Sequence, residues 1–249
     1  MPIITLLTDF GTSDGYVAEV KGVLVSRVAD LTLVDISHEV RLGDVRAGQY
    51  LLGRTWSWFP SETVHLAIVD PDVGTTRRAL AADWVGHRFV APDNGLLSFL
   101  PAEARFVALP VPSDAAPTFH GRDVFAPAAA ALATNAPLDS LGAIITDPQR
   151  TPVPEPRSEG RELIGEVVYV DRFGTLVSNI PAEVLAGSAR IRVAGKEVRL
   201  RRTFADVARA DLVAFVGSNE TLEIAMRDGS AAAKLNARVG AEIRVQLKD

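Results

Sequence analysis

Three short apolar runs near the head of the chain each stop on an aspartate. Ile3–Thr8 is followed by Asp9, Leu31–Val34 by Asp35, and Val64–Val69 by Asp70. Between the first two, Val17, Val20, Leu24 and Val28 recur at helical spacing over Tyr16–Val28. A second amphipathic stretch, Asp44–Phe59, is stopped by Pro60. Strands alternating with helices predict an α/β domain with a mainly parallel sheet and helices on its faces. In such sheets ligands collect outside the carboxyl ends of the strands, where the three aspartates are predicted to stand.

The third run continues as AIVDPDVGTTRR, Ala67 to Arg78, which turns through Pro71 and Gly74 and delivers two arginines after the carboxylate. Beyond it, Ala79–Val85 and Arg88–Val90 around Gly86-His87 read as a hairpin, and PDNG, Pro92 to Gly95, as a turn. Asp123–Thr134 is an alanine-rich helix beginning near FHGRD. A stretch with four prolines among charges, Asp147 to Gly160, then reads as an extended linker. After it come short strands with little helix between them: Glu162–Val170, Ala189–Val193, Glu197–Arg201, Leu212–Val216, Thr221–Ala225 and Glu242–Leu247. The expected organisation is an α/β domain over 1–150, a Pro-rich linker over 151–160, and a smaller all-β, barrel-like domain over 161–249.

Composition narrows the function. A net charge of −5 over 249 residues leaves no basic stripe to neutralise phosphates, which argues against nucleic acid as partner. The absence of cysteine excludes disulfides, thiolate catalysis and thiolate-held metals. No apolar run approaches the ~20 residues that span a bilayer. The opening MPIITLLTDF carries no basic leader and turns acidic at Asp9, so the expectation is no signal peptide, no membrane partner and a cytoplasmic location.

Nucleotide-binding glycine loops, HExxH and GxSxG are all missing. Of the four histidines, His65 lies inside an apolar run and reads as packed, and His87 sits in a hairpin turn and reads as solvated. His38 in DISHEV and His120 in FHGRD stand beside element ends and are the better functional candidates. On residue chemistry alone Asp70 and Arg77 form either a structural ion pair or part of a site, and Asp9 either caps a helix or binds a ligand.

Seven segments occur in order: TDFGTSDGYV (Thr8 to Val17), DISHEV (Asp35 to Val40), VDPDVGTTRR (Val69 to Arg78), PDNGLL (Pro92 to Leu97), FHGRDVFAP (Phe119 to Pro127), VDRFGTLVSNIP (Val170 to Pro181) and GSNETLEIA (Gly217 to Ala225). Together they resemble the S-adenosylmethionine hydroxide adenosyltransferase family, hydrolase relatives of the fluorinating and chlorinating enzymes, over nearly the whole chain. The resemblance implies an α/β domain followed by a barrel-like one. It implies a homotrimer with active sites at subunit interfaces, and hydrolysis of S-adenosylmethionine to adenosine and methionine with no cofactor and no metal. It assigns Asp70, Arg77 and His120 as the triad that positions and activates water, and Asp9 as the carboxylate on the ribose diol. Asp171 and Ser218 would hold the methionine moiety and Phe173 would lie against adenine, with Thr175, Met226 and Asp228 near the same pocket.

Three departures from the family pattern are visible. Asp72 replaces a glycine, a change that aspartate's tolerance of left-handed backbone would accommodate. Thr175 replaces an asparagine, and Asn219 and Glu220 stand where small residues or arginine are common. Competing readings are a halide-using adenosyltransferase, disfavoured by Asp70 and His120, and a non-catalytic nucleoside-binding protein. A magnesium phosphoesterase built on Asp70 and Asp72 is a fourth.

Overall fold

In a computed structural model describing residues 1–185 and 190–246, the chain divides into two compact units, Met1–Pro152 and Val153–Asp249. The outer ends of two expected strands, at Ala189 and Leu247, lie outside the described residues.

The first unit runs β1 (Ile3–Thr8), α1 (Tyr16–Arg27), β2 (Thr32–Ser37), α2 (Val45–Thr55), β3 (Val64–Ile68), β4 (Ala79–Trp84), β5 (His87–Pro92), β6 (Arg105–Leu109), α3 (Ala126–Ala133) and β7 (Ala143–Ile145). Its seven strands form one sheet in the order β2-β1-β3-β5-β4-β6-β7. β1 pairs parallel with β2 and β3, and β3 parallel with β5, whereas β4–β5, β4–β6 and β6–β7 are antiparallel. The sheet is therefore mixed rather than mainly parallel. The tight turn at Val85-Gly86 reverses the chain directly, so no crossover helix separates β4 from β5, and β6 and β7 extend that antiparallel half.

Alternation along the strands sends side chains to two cores. Ile4, Leu6, Leu66 and Ile68 meet Val20 and Leu24 of α1 and Ala129 of α3 on one face. Leu7, Ala67, Val69, Leu80 and Phe89 meet Leu52 of α2 on the other. Each fully buried aliphatic or aromatic side chain contributes about 1.5–3 kcal/mol, so these faces hold the sheet and free its rim for polar groups. α2 starts where the sequence suggests, with the Asp44 carboxylate accepting from Ala47 N at 3.0 Å. Asp35, by contrast, lies within β2 rather than at its end, and pairs with Lys21 at 2.7 Å.

The second core also contains two histidines. His65 is wholly buried as predicted. His87 is not solvated: it opens β5, is 7% exposed, and its Nδ1 lies 3.1 Å from His65 Nε2. Thr5 Oγ1 lies 2.9 Å from His65 Nδ1. Burial, with His87 alongside, pushes the His65 pKa down from 6.5 to about 3. The unfolded chain thus binds a proton that the native state refuses. Stability is fully present above pH 6.5 and should fall as pH drops from there toward 3. Denaturation midpoints across that range should slope less steeply in His65→Asn than in the parent.

The second unit runs β8 (Arg157–Glu159), β9 (Glu162–Val170), β10 (Leu176–Pro181), β11 (Arg190–Val193), β12 (Lys196–Val198), β13 (Leu212–Val216), β14 (Thr221–Met226), α4 (Ala231–Leu235) and β15 (Glu242–Gln246). Its strands pair antiparallel in the order β12-β11-β15-β9-β10-β14-β13, with β8 attached to β9. The two ends of that order approach each other. Arg201 N donates to Ala214 O at 2.8 Å and Ala214 N to Arg199 O at 3.0 Å, so the sheet nearly closes into a barrel. Val167, Leu176, Ile180, Leu222, Ile224 and Ile243 fill it. The Pro-rich stretch is divided between the units: Thr151 N donates to Ser98 Oγ at 2.7 Å, while Pro154 O accepts from Asn179 Nδ2 at 2.5 Å. Among the described residues no helix is long and apolar enough to cross a membrane.

Candidate active site

β1 has β2 on one side and β3 on the other, so the chain order reverses there, and Thr8 and Ile68 are register partners at the carboxyl ends of β1 and β3. Asp9 follows Thr8 directly, and Asp70 stands one residue further beyond Ile68. They therefore share the switch point of the sheet, the place where α/β folds bind ligands.

Past Asp70 the chain arches over the end of β5 to reach β4. Gly74 takes φ +80°, and a Cβ there would stand 2.7 Å from Pro117 O, so this position needs glycine twice over. Asp72 does not take positive φ; the left-handed step belongs to Gly74, so the departure from the family glycine strains nothing. The arch brings Arg77 back onto Asp70. Nε donates to Oδ1 at 2.9 Å and to Oδ2 at 3.1 Å, and Nη2 donates to Oδ2 as well. Both side chains are only 5% exposed.

His120 joins them from across the sheet. It heads a π-helical turn, Gly121–Phe125, that runs into α3. Gly121 lets the turn pack down, since a Cβ there would meet Phe10 and Phe119 at 3.2 Å. Arg77 Nη2 lies 3.1 Å from His120 Nδ1, and the guanidinium stands 5.1 Å from the centre of the Phe125 ring. Burial, and then the Arg77 charge, push the His120 pKa below its ordinary value. Because a guanidinium only donates, neutral His120 accepts at Nδ1 and carries its hydrogen on Nε2. Arg77 Nη1 is buried and has no protein acceptor among the described residues. The guanidinium is thus forked onto Asp70, and both carboxylate oxygens accept from it.

Asp9 Oδ2 accepts from Gly43 N at 2.8 Å rather than capping a helix of its own. Burial raises its pKa, the Gly43 bond opposes this, and the Asp70 charge adds to the rise. The second arginine of the motif is structural. Arg78 donates to Asp93 at 2.7 Å and to Asp147 at 2.8 Å, and Asn94 Nδ2 donates to Val69 O at 2.8 Å. The PDNG turn is thus the brace of the arch, a role its turn-like composition did not reveal.

The remaining six predicted residues belong to the second unit. Asp171, Phe173, Thr175, Ser218, Met226 and Asp228 all line one open recess of about 840 Å³. Asp171 Oδ1 accepts from Phe173 N at 2.9 Å and Thr175 N at 2.8 Å, folding the β9–β10 loop back on itself and leaving Phe173 77% exposed. Gly174 at φ +81° completes that loop, where a Cβ would overlap Ser230 Oγ. Ser218 lies in the β13–β14 turn. Sequence reading missed Phe204, which lines the same recess and packs edge-on against Phe215 at 4.7 Å. A signal was available: Thr203 and Asp206 form a capping box around it.

An α/β unit with a buried acid–guanidinium–imidazole cluster at its switch point, followed by an antiparallel barrel with an aromatic recess, defines the class of molecule. Residues 4–142 match the SAM hydroxide adenosyltransferase N-terminal domain and residues 165–244 its C-terminal domain. The chain belongs to that family. It is 38% identical over 258 residues to the (R)-S-adenosyl-L-methionine hydrolase of Thermus thermophilus, covering 97% of this chain and 98% of that one. The fluorinase of Nocardia brasiliensis is 28% identical over 291 residues, covering 99% and 97%. Among solved structures, an uncharacterized conserved protein from Thermotoga maritima superposes with a TM-score of 0.90 at 34% identity, covering 97% of this chain and 99% of that one.

Proposed function

We propose that this protein is an enzyme that hydrolyses S-adenosyl-L-methionine to adenosine and L-methionine, with water attacking ribose C5′. The observation that carries the reading is the Asp70–Arg77–His120 cluster beside Asp9, in a chain similar to named hydrolases over nearly its whole length. Those relatives are named for the (R) epimer of the sulfonium, and that epimer is the substrate assigned here.

The chemistry asks little of the protein. The leaving group is a neutral thioether, so neither a metal nor a leaving-group acid is needed. What is needed is a water held in line at ~3–3.5 Å from C5′ and shielded from bulk solvent. His120 Nε2–H is suited to donate to one lone pair of that water, leaving the other for C5′, and Asp70 to accept from its hydrogen. The attacking oxygen becomes strongly acidic as the C–O bond forms, so a weak acceptor such as Asp70 suffices for the proton. His120, occupied by Arg77 at Nδ1, orients rather than abstracts.

Asp9 in this reading holds the ribose diol. The recess on the second unit takes the rest: Phe173 stacks on adenine with Thr175 beside it, Asp171 and Ser218 hold the methionine portion, and Met226 and Asp228 complete the wall. An open recess with a largely exposed phenyl ring cannot bury a nucleoside unaided. Following the resemblance to its family, we assign a homotrimer in which the recess of one subunit meets the Asp70 cluster of its neighbour. We assign the chain to the cytoplasm.

Incubation with the separated sulfonium epimers, followed by chromatography, tests the activity. Adenosine and methionine should form from the (R) epimer; no adenosine from either would overturn it. Light scattering should give three times the mass of one chain, and a fully active monomer at high dilution would refute the shared site.

A further inference from the structure

His38 takes no part in the chemistry above, yet it is 5% exposed and sits at the root of the loop that carries Asp9. Its Nδ1 lies 2.8 Å from Oγ1 of Thr8, which is itself 1% exposed. Thr8 Oγ1 also accepts from Phe10 N at 3.3 Å. One hydroxyl thus bridges the imidazole and the backbone on either side of Asp9. The ring's other nitrogen, Nε2, faces Asp35 Oδ1 at 3.2 Å, an electrostatic contact rather than an aligned hydrogen bond. A carboxylate on that side favours the hydrogen on Nε2, leaving Nδ1 to accept from the Thr8 hydroxyl. Lys21 anchors the far oxygen of Asp35 at 2.7 Å.

The same two segments are joined by main-chain bonds. Gly11 N donates to His38 O at 2.8 Å and Val40 N to Thr8 O at 3.4 Å, while Gly43 N donates to the Asp9 carboxylate at 2.8 Å. Residues 8–11 and 38–43 therefore form one unit that carries Asp9, and the Thr8–His38 bond is a buried side-chain tie within it. We infer that His38, acting through Thr8, is a positioning residue for Asp9 and so sets recognition of the ribose diol. The inference rests on the assignment of Asp9 to that diol.

The test compares adenosine with 2′,3′-dideoxyadenosine, which lacks the diol, by calorimetry on the intact protein. His38→Ala should weaken adenosine about tenfold, the scale of one misplaced charge-assisted hydrogen bond, and leave the dideoxy analogue unchanged. Thr8→Val, which removes the hydroxyl while keeping the shape, should do the same and covers the case in which His38→Ala fails to fold. His38→Asn, whose amide can return a partner to Thr8, should recover most of the loss. In an Asp9→Ala background, His38→Ala should add nothing. Equal weakening of both nucleosides, or of neither, overturns the inference while leaving the role of Asp9 intact. A parent protein that does not distinguish the two nucleosides overturns both.

Discussion

Asp70→Ala should lower turnover of S-adenosylmethionine by about 10²–10⁴-fold while leaving the dissociation constant of adenosine nearly unchanged. The split follows from what the carboxylate touches. It is buried and gripped by Arg77 Nε at 2.9 Å, and in the proposed reading it accepts from a water rather than from the nucleoside. Its removal takes away an interaction used only as the C–O bond forms, so kcat falls and binding does not. Removal also strands the Arg77 guanidinium in a buried site, and Arg77 then drifts from His120. Loss of His120 alone should therefore cost less than loss of Asp70, because the arginine and carboxylate keep each other in place. Single-turnover rates of Asp70→Ala, Asp70→Asn and His120→Ala, set against adenosine binding by each, check this ordering. Near-normal turnover in Asp70→Ala would reduce the pair to a structural ion pair.

Much of this site was legible because its residues sit where strands stop. Apolar runs ending on Asp9 and Asp70 gave both the strand ends and the carboxylates, since a buried strand can end on a charge only where the sheet meets solvent or a ligand. Asp35 broke that rule: β2 continues past it to Ser37, because Lys21 on α1 reaches over to neutralise the charge on an exposed face. Strand direction was less legible. The parallel half of the sheet announces itself through its intervening helices, whereas β6 and β7 are short and follow hairpin-side geometry that no periodicity marks. His87 went astray because a turn residue was read as solvated; the ring instead folds inward, lies across from Trp56 at 5.0 Å and meets His65. In the second unit the β10 strand and helix α4 were missed, the former because it follows the irregular DRFGT loop, the latter because five residues carry too little pattern.

The family departures fall unevenly on the structure. Asp72 is accommodated because Gly74 alone supplies the left-handed step. Thr175 is 5% exposed, with its N–H committed to Asp171, so the change from asparagine alters the floor of the recess rather than the fold of its loop. Glu220 adopts φ 54° in the β13–β14 turn, a position where most side chains are strained and where a glycine would relax the loop bearing Ser218. On the proposed reading, any shift in base or carboxylate recognition relative to the named hydrolases therefore belongs to the barrel, whereas Asp70, Arg77 and His120 lie in the other unit.

In ¹⁸O-labelled water the heavy oxygen should appear in the 5′-hydroxyl of adenosine and be absent from methionine. A sulfonium can be opened at any of its three carbons, and each route leaves a different mark: label in adenosine for C5′, in methanol for the methyl group, in homoserine for the amino-acid chain. The Asp9 carboxylate and the Asp70 cluster are adjacent at one switch point, and the proposed reading has a ribose on the former turn its C5′ to the latter. On the proposed reading the same geometry disfavours halide. Water can donate to Asp70 and accept from His120 Nε2–H while its second lone pair faces C5′; chloride or fluoride can only accept, and it would face a carboxylate with no hydrogen to offer. With excess halide present, mass spectrometry of the products should show adenosine carrying one ¹⁸O and at most traces of 5′-halonucleoside. Label in methanol or homoserine would move the attack to another carbon, and a halonucleoside as the main product would show that Asp70 does not select the nucleophile.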